Sequence, residues 1–255
     1  MPAISSDTLF HFTSKDNLLG ILENEFYPRI SLEHYQVNET TSFKIGIPMV
    51  CFCDIPLSMT YSHMTDYGKY GIGMSKEWAK RNKLNPVLYL HKGSQATQLI
   101  DNALNSITGD ITEVRKFGVE IHSLTDLRDM LFKLLTYTKP FDGTITSKGK
   151  VENRKFYDER EWRYVPDISA YDGKQIMLLE RQFAEPLLSQ ENEKLKKKAK
   201  LRFEPGDINY IIIKDELERL DLIMRIDRIK EKYDQDTKRV LLSKIITAMQ
   251  ISQDF

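Results

Sequence analysis

Ile47-Pro48-Met49-Val50-Cys51-Phe52-Cys53-Asp54-Ile55 is the stretch on which the fold turns. Its apolar run is broken only by Asp54. A short, continuous apolar run of this kind reads as a strand buried on both faces. Asp54 marks its polar end. Pro56 follows at a position suited to the start of a helix, predicted over residues 57–66.

Toward the N-terminus, Thr8-Leu9-Phe10-His11-Phe12-Thr13 predicts a second strand. Ser14 caps a predicted helix over 15–24, with Leu18, Leu19, Ile21 and Leu22 as its apolar stripe. Residues 26–32 read as extended, and the polar residues 37–44 as a loop. Toward the C-terminus, residues 67–75 carry Gly68, Gly71 and Gly73 among aromatic and aliphatic neighbours. That pattern predicts a strand closely approached by another backbone. A helix over 76–82 and a strand over 86–90 follow. Helical periodicity returns at 95–107 and 123–135, while 109–121 fits neither pattern. Residues 139–153, rich in Gly, Thr and Lys, read as a mobile loop. A strand is predicted over 156–165, mixed structure over 171–190 and a basic helix over 192–200. A buried strand lies within 207–214, and two helices follow over 216–233 and 237–250.

Strands at both ends with helices between them predict a single α+β domain over residues 1–255. Its mixed, mainly antiparallel β core spans 8–214, with a helical insertion at about 94–137 and C-terminal helices over 215–255. The chain has 41% hydrophobic and 29% charged residues, enough to fill a core and stay soluble. Lys+Arg and Asp+Glu number 37 each, so no global field draws the chain to nucleic acid or to an anionic membrane. Its two cysteines, Cys51 and Cys53, share one strand face and read as buried thiols of a reducing compartment. Neither a signal-peptide pattern nor an apolar run of about 20 residues is present, which predicts a cytoplasmic protein. The five histidines show no metal-ligand spacing, so no metal is expected.

Four constellations could carry chemistry. His11 and Thr13 alternate with Phe10 and Phe12, which puts them on an exposed face at a strand end. They could hydrogen-bond a ribose or an amide, and a histidine satisfied by a neighbouring carbonyl accounts for the pattern as well. Tyr61, His63, Tyr67 and Tyr70 cluster around the glycines and suit either stacking on a planar ring or ordinary core packing. On the predicted strand over 156–165, Glu159, Glu161 and Arg163 share one face, and Arg160, Trp162 and Tyr164 the other. Carboxylates in such a row can hold a ribose hydroxyl and stabilise an oxocarbenium-like centre; a solvated charge ladder is the plainer account. A basic run, Lys194 to Lys200, could touch phosphates or form a solvated helix face.

An early His-x-Thr strand, a middle strand followed by a Tyr-Gly segment and a late strand with a glutamate recur in that order. The order resembles the histidine–tyrosine–glutamate branch of the ADP-ribosyltransferase superfamily. Leu9-Phe10-His11-Phe12-Thr13-Ser14, Cys51-Phe52-Cys53-Asp54-Ile55-Pro56 and the segment Tyr67 to Trp78 resemble the AbiGi family of bacterial abortive-infection proteins, from about Leu9 to Lys214. The resemblance implies an ADP-ribosyltransferase-like core that uses NAD as co-substrate. His11, Phe12 and Thr13 would hold its adenosine-side ribose. Tyr67, or Tyr70, would stack on nicotinamide. Glu161 would stabilise the departing cation, and Glu159 and Arg163 would meet a nucleic-acid or protein acceptor. The same family also implies a silent antitoxin that binds a cognate toxin.

Overall fold

The apolar run at residue 47 proves to be the second half of a longer strand. The computed structural model describes residues 6–36, 42–116, 122–147, 150–167, 178–179, 184–229, 231 and 233–254. The elements are β1 (Thr8–Thr13), α1 (Lys15–Asn24), β2 (Arg29–Gln36), β3 (Ser42–Cys53), α2 (Tyr61–Tyr67), β4 (Tyr70–Ser75), α3 (Lys76–Arg81), β5 (Asn85–Pro86) and β6 (Leu88–Leu90). There follow α4 (Gln95–Arg115), α5 (His122–Leu135), β7 (Thr138–Pro140), β8 (Gly143–Ser147), β9 (Lys150–Arg154), β10 (Glu161–Tyr164) and β11 (Leu178–Leu179). The chain ends with α6 (Leu187–Lys198), β12 (Ile208–Ile213), α7 (Arg219–Ile229), α8 (Gln235–Leu242), β13 (Ile245–Thr247) and α9 (Ala248–Asp254).

The main sheet runs β13-β12-β4-β1-β3-β10-β5, with β2 and β11 on the first half of β3. Its neighbours are antiparallel, except that β13 lies parallel to β12. The expected α+β class with a mainly antiparallel sheet is therefore observed. Both faces are covered. Leu9, Phe52, Ile72, Met74, Trp78, Ile211 and Ile213 pack with Leu18 and Leu22 of α1 and Leu222 and Ile226 of α7 on one side. Phe10, Phe12, Ile55 and Ile212 meet Met64 of α2 and Ala248 and Ile251 of α9 on the other. Ser14 caps α1 by accepting from the Asn17 amide, and Leu18, Leu19 and Leu22 supply its buried stripe.

Residues 70–75 lie against β1 as the glycines suggest. A Cβ on Gly71 would stand 3.0 Å from the His11 carbonyl oxygen, and one on Gly68 only 2.2 Å from that of Thr13. Gly68 also has φ +120°, a backbone that side chains rarely tolerate.

Several expectations need correction. Residues 139–153 do not form a loop. Lys139 belongs to β7, paired with β6, and β8 and β9 form a hairpin with Thr144 opposite Asn153. The β-formers Thr144, Ile145, Thr146 and Val151 outweigh the loop-like composition. Residues 156–165 are not one strand. Phe156–Glu159 is a 3-10 helix, Arg160 takes a left-handed conformation (φ 44°, ψ 52°), and β10 starts at Glu161. The predicted helix over 237–250 is broken by β13, because Ile245-Ile246-Thr247 is β-branched and completes the sheet beside Ile211–Ile213. α4 runs on to Arg115, past the expected end at residue 107. The predicted loop over 37–44 yields to β3 from Ser42, and residues 37–41 lie outside the described residues. Of the ambiguous stretch 109–121, residues 117–121 also lie outside them. So does most of 171–190, apart from β11 and residues 184–190, which contain the start of α6.

Candidate functional site

β1 and β3 pair in register at Phe10 and Cys53 and then part. Just beyond that rung the His11 ring bridges the gap, its Nδ1 2.8 Å from the Cys51 carbonyl oxygen. The gap widens into a cleft of about 760 Å³. Its walls come from residues 10–13, α1, residues 24–29, alternate residues of β2 (Arg29, Ser31, Glu33), residues 49–53 of β3 and α6, with His63, Tyr67, Lys139, Glu159 and Glu161 at one part of the lining.

Six of the sequence-predicted residues line this one cleft: His11, Phe12, Thr13, Tyr67, Glu159 and Glu161. The exposed face expected for His11 and Thr13 is not found. β1 is an inner strand, Thr13 is buried, and the His11 ring packs against Phe26 and Phe52 at 5.5 and 5.6 Å. Burial lowers the His11 pKa, partly offset by the bond to Cys51. The neutral ring must then donate from Nδ1 to that carbonyl, which leaves Nε2 as an acceptor. Tyr70 lies outside the cleft, its hydroxyl donating to Glu218 Oε1 at 2.9 Å. Tyr61 is exposed and also outside it. Arg163 is fully buried beneath the carboxylates, not at a surface that an acceptor could reach.

Glu159 and Glu161 converge although no strand joins them; the left-handed turn at Arg160 brings the two side chains together. The Lys139 ammonium lies between them, 2.6 Å from Glu159 Oε2 and 2.5 Å from Glu161 Oε2. Glu161 Oε1 accepts from Arg163 Nε at 2.7 Å. Glu159 Oε1 accepts from the Tyr67 hydroxyl at 3.1 Å and pairs with Arg154 Nε at 3.1 Å. All four carboxylate oxygens thus have a donor from within the chain. Arg163 also donates to the Thr136 carbonyl at 2.7 Å and approaches Glu33 Oε1 at 3.4 Å.

Burial alone would raise the Glu161 pKa, but Arg163 and Lys139 outweigh it and hold the carboxyl down at about 2. Glu33 is raised, because burial there exceeds the pull of Arg163 and Lys139. Burial opposes the charge on Lys139, yet Glu161 and Glu159 raise its pKa well above the usual lysine range. Burial, then Glu159, pushes the Tyr67 hydroxyl up, so it remains a donor at neutral pH.

Sequence reasoning missed Lys139, Arg154 and Glu33. The alternation Arg29, Ser31, Glu33 was available as a period of two. Nothing local marked Lys139, on the short strand β7, or Arg154, on β9, because the composition from residue 139 onward reads as a loop. Among the described residues no group of three or more His, Cys, Asp or Glu could hold a metal. Among the described residues no helix is long and apolar enough to cross a membrane.

These features define an α+β protein whose mainly antiparallel sheet opens along one seam over a set of paired charges. The chain belongs to the AbiGi family. Residues 24–214 match the family described as "Putative abortive phage resistance protein AbiGi, antitoxin". An "Abortive phage resistance protein AbiGi" of Lactococcus lactis subsp. cremoris is 32% identical over 249 residues, covering 91% of this chain and 96% of that protein. No solved structure matches the chain.

Proposed function

We propose that this protein is the antitoxin of an abortive-infection system, acting in the cytoplasm against phage by binding a cognate toxin rather than by turning over NAD. The observation that carries this reading is the Lys139 ammonium, 2.5 Å from Glu161 and 2.6 Å from Glu159. Loss of nicotinamide leaves an oxocarbenium-like cation that needs an unneutralised carboxylate beside it. Lys139 neutralises that carboxylate and adds a like charge. At about 4 Å and an effective dielectric of about 20, such a repulsion amounts to roughly 4 kcal/mol. The description of the matched family as an antitoxin supports the same conclusion.

Co-expression with the product of the neighbouring gene tests it. The two proteins are expected to co-purify and the toxic phenotype to be suppressed. Glu161→Gln, checked by circular dichroism for an intact fold, is expected to keep that suppression. Absence of a complex, or loss of suppression in a folded Glu161→Gln protein, would sink the proposal.

One observation favours a second reading, an ADP-ribosyltransferase. His11, Phe12, Thr13, Tyr67, Glu159 and Glu161 line a single cleft. In that reading NAD enters as co-substrate, Tyr67 stacks on nicotinamide, and a nucleic-acid or protein acceptor approaches from the side of Glu159. It requires nicotinamide release that disappears in Glu161→Gln. Protein that releases none, with NAD and candidate acceptors supplied, eliminates it.

A further inference from the structure

The basic run beginning at Lys194 has no part in either reading above. In the fold it forms the last turns of α6 and the residues just beyond, and Lys196 lines the cleft. Two of its cations turn to one ring. Lys196 Nζ lies 5.9 Å and Lys200 Nζ 5.3 Å from the centre of the Tyr27 ring. Arg29, exposed and two residues along, lines the same wall. The backbone here is pinned on both sides. Phe26 and Leu201 exchange two backbone hydrogen bonds, at 3.3 and 2.9 Å. The Ile30 amide donates to the Asn192 side chain at 2.9 Å.

The lysines at the end of α6 are favoured there by the helix dipole, but the dipole does not gather them at Tyr27. Cation–π attraction does, and it draws both ammonium groups to the ring before any ligand arrives. Their neighbours have carboxylates: Lys194 pairs with Glu191 at 2.5 Å and Arg202 approaches Glu25 at 3.9 Å. Among the described residues no such pair involves Arg29, Lys196 or Lys200. On that side of the cleft Arg29, Lys196 and the Lys200 ammonium over Tyr27 stand with two acids, Glu193 and Glu25, and Glu25 is approached by Arg202. Excess positive charge is relieved by an anion. The adjoining cleft, at about 760 Å³, has the size of a small-molecule site, with Phe12, Phe26, Phe52 and Tyr67 as aromatic walls and the His11 ring as a polar group.

We propose that Arg29 and Lys196 on the cleft wall, with Lys200 over the Tyr27 ring, form a phosphate subsite of the cleft through which the protein binds a free nucleotide. The nucleotide is a ligand and is not consumed. This inference is independent of the antitoxin reading, because it rests on the wall at α6 and not on a partner.

Titration calorimetry with ADP, adenosine and a short single-stranded DNA tests it on the whole chain. ADP is expected to bind wild type, and adenosine, which lacks phosphate, at least about tenfold more weakly. The paired change Lys196→Glu with Lys200→Glu is expected to weaken ADP binding at least about tenfold and to flatten its salt dependence. Arg29→Gln, a milder change, should weaken it less. The control pair Lys194→Glu with Lys197→Glu alters charge equally on the same helix and should leave ADP binding unchanged. Failure of wild type to bind ADP overturns the proposal. So does an equal loss in both paired variants, or DNA binding tighter than ADP that both pairs abolish, since either outcome describes a diffuse nucleic-acid face.

Discussion

The Lys139 ammonium is surrounded by acids in a part of the molecule that water scarcely reaches. Removing one partner from a buried charge cluster typically costs about 3–5 kcal/mol, because the remaining charge stays buried and uncompensated. Lys139→Met is therefore expected to lower the free energy of unfolding by about that amount in urea titrations. Adding Glu159→Gln should restore part of the loss. A cost below about 1 kcal/mol would show that the carboxylates find other counter-charges. Glu161 gives the acid counterpart. Its folded pKa of about 2 lies below the ordinary 4.5, so its contribution is complete above about pH 4.5 and is lost as pH falls toward 2. The stability of Glu161→Gln should vary less across that interval than that of wild type, measured by denaturant unfolding at successive pH values. Glu33 has the opposite sign: its pKa is raised, so it favours the folded state in acid and loses that effect as pH rises.

At the scale of elements, the turn between α2 and β4 is the most constrained junction. A Cβ at Gly68 meets the Thr13 carbonyl oxygen at 2.2 Å and the backbone has φ +120°. Gly68→Ala combines strain with overpacking and is expected to cost on the order of 3 kcal/mol, or a fall in melting temperature of about 6–12 °C. It should also disturb the neighbouring Tyr67. Lys83, exposed with φ 59°, is the converse case. Lys83→Gly should stabilise by about 0.5–1 kcal/mol in the same melts. The elements legible in the sequence were those whose pattern is local. β1, α1, α3 and β12 came within a residue of their bounds because period, cap and apolar run agree. β13 and the β8–β9 pair did not, because β13 depends on a partner distant in sequence and the composition of 139–153 hides the pairing of β8 with β9. The site divides similarly. His11, Thr13, Glu159 and Glu161 stand out by residue type and spacing. Lys139 and Arg154, which complete the charge balance, acquire their role only when β7 and β9 bring them to the two glutamates.

For the whole molecule, the short strand β13 matters more than its length suggests. It covers the outer side of β12, where Ile211, Ile212 and Ile213 are buried. A chain cut after Ser243 would present that row as an unpaired apolar edge, a template for association. Such a protein is expected to elute as aggregate in size-exclusion chromatography, whereas wild type should not. The seam between β1 and β3 has a further consequence. β13, β12, β4 and β1 form one continuous ladder, and β3 with β10 and β5 forms another. One registered rung at Phe10 and Cys53, the Cys53 thiol, the His11 imidazole and the Lys76–Asp54 ion pair tie the two at one end of the seam. Two stiff leaves with so short a line of backbone pairing breathe along it, as a book does at its spine. Amide deuterium uptake should accordingly be faster at residues 11–13 and 50–52 than in β4 or β12, and occupation of the cleft should slow it there first. A soft line of the sheet then runs through its centre, not along its edge.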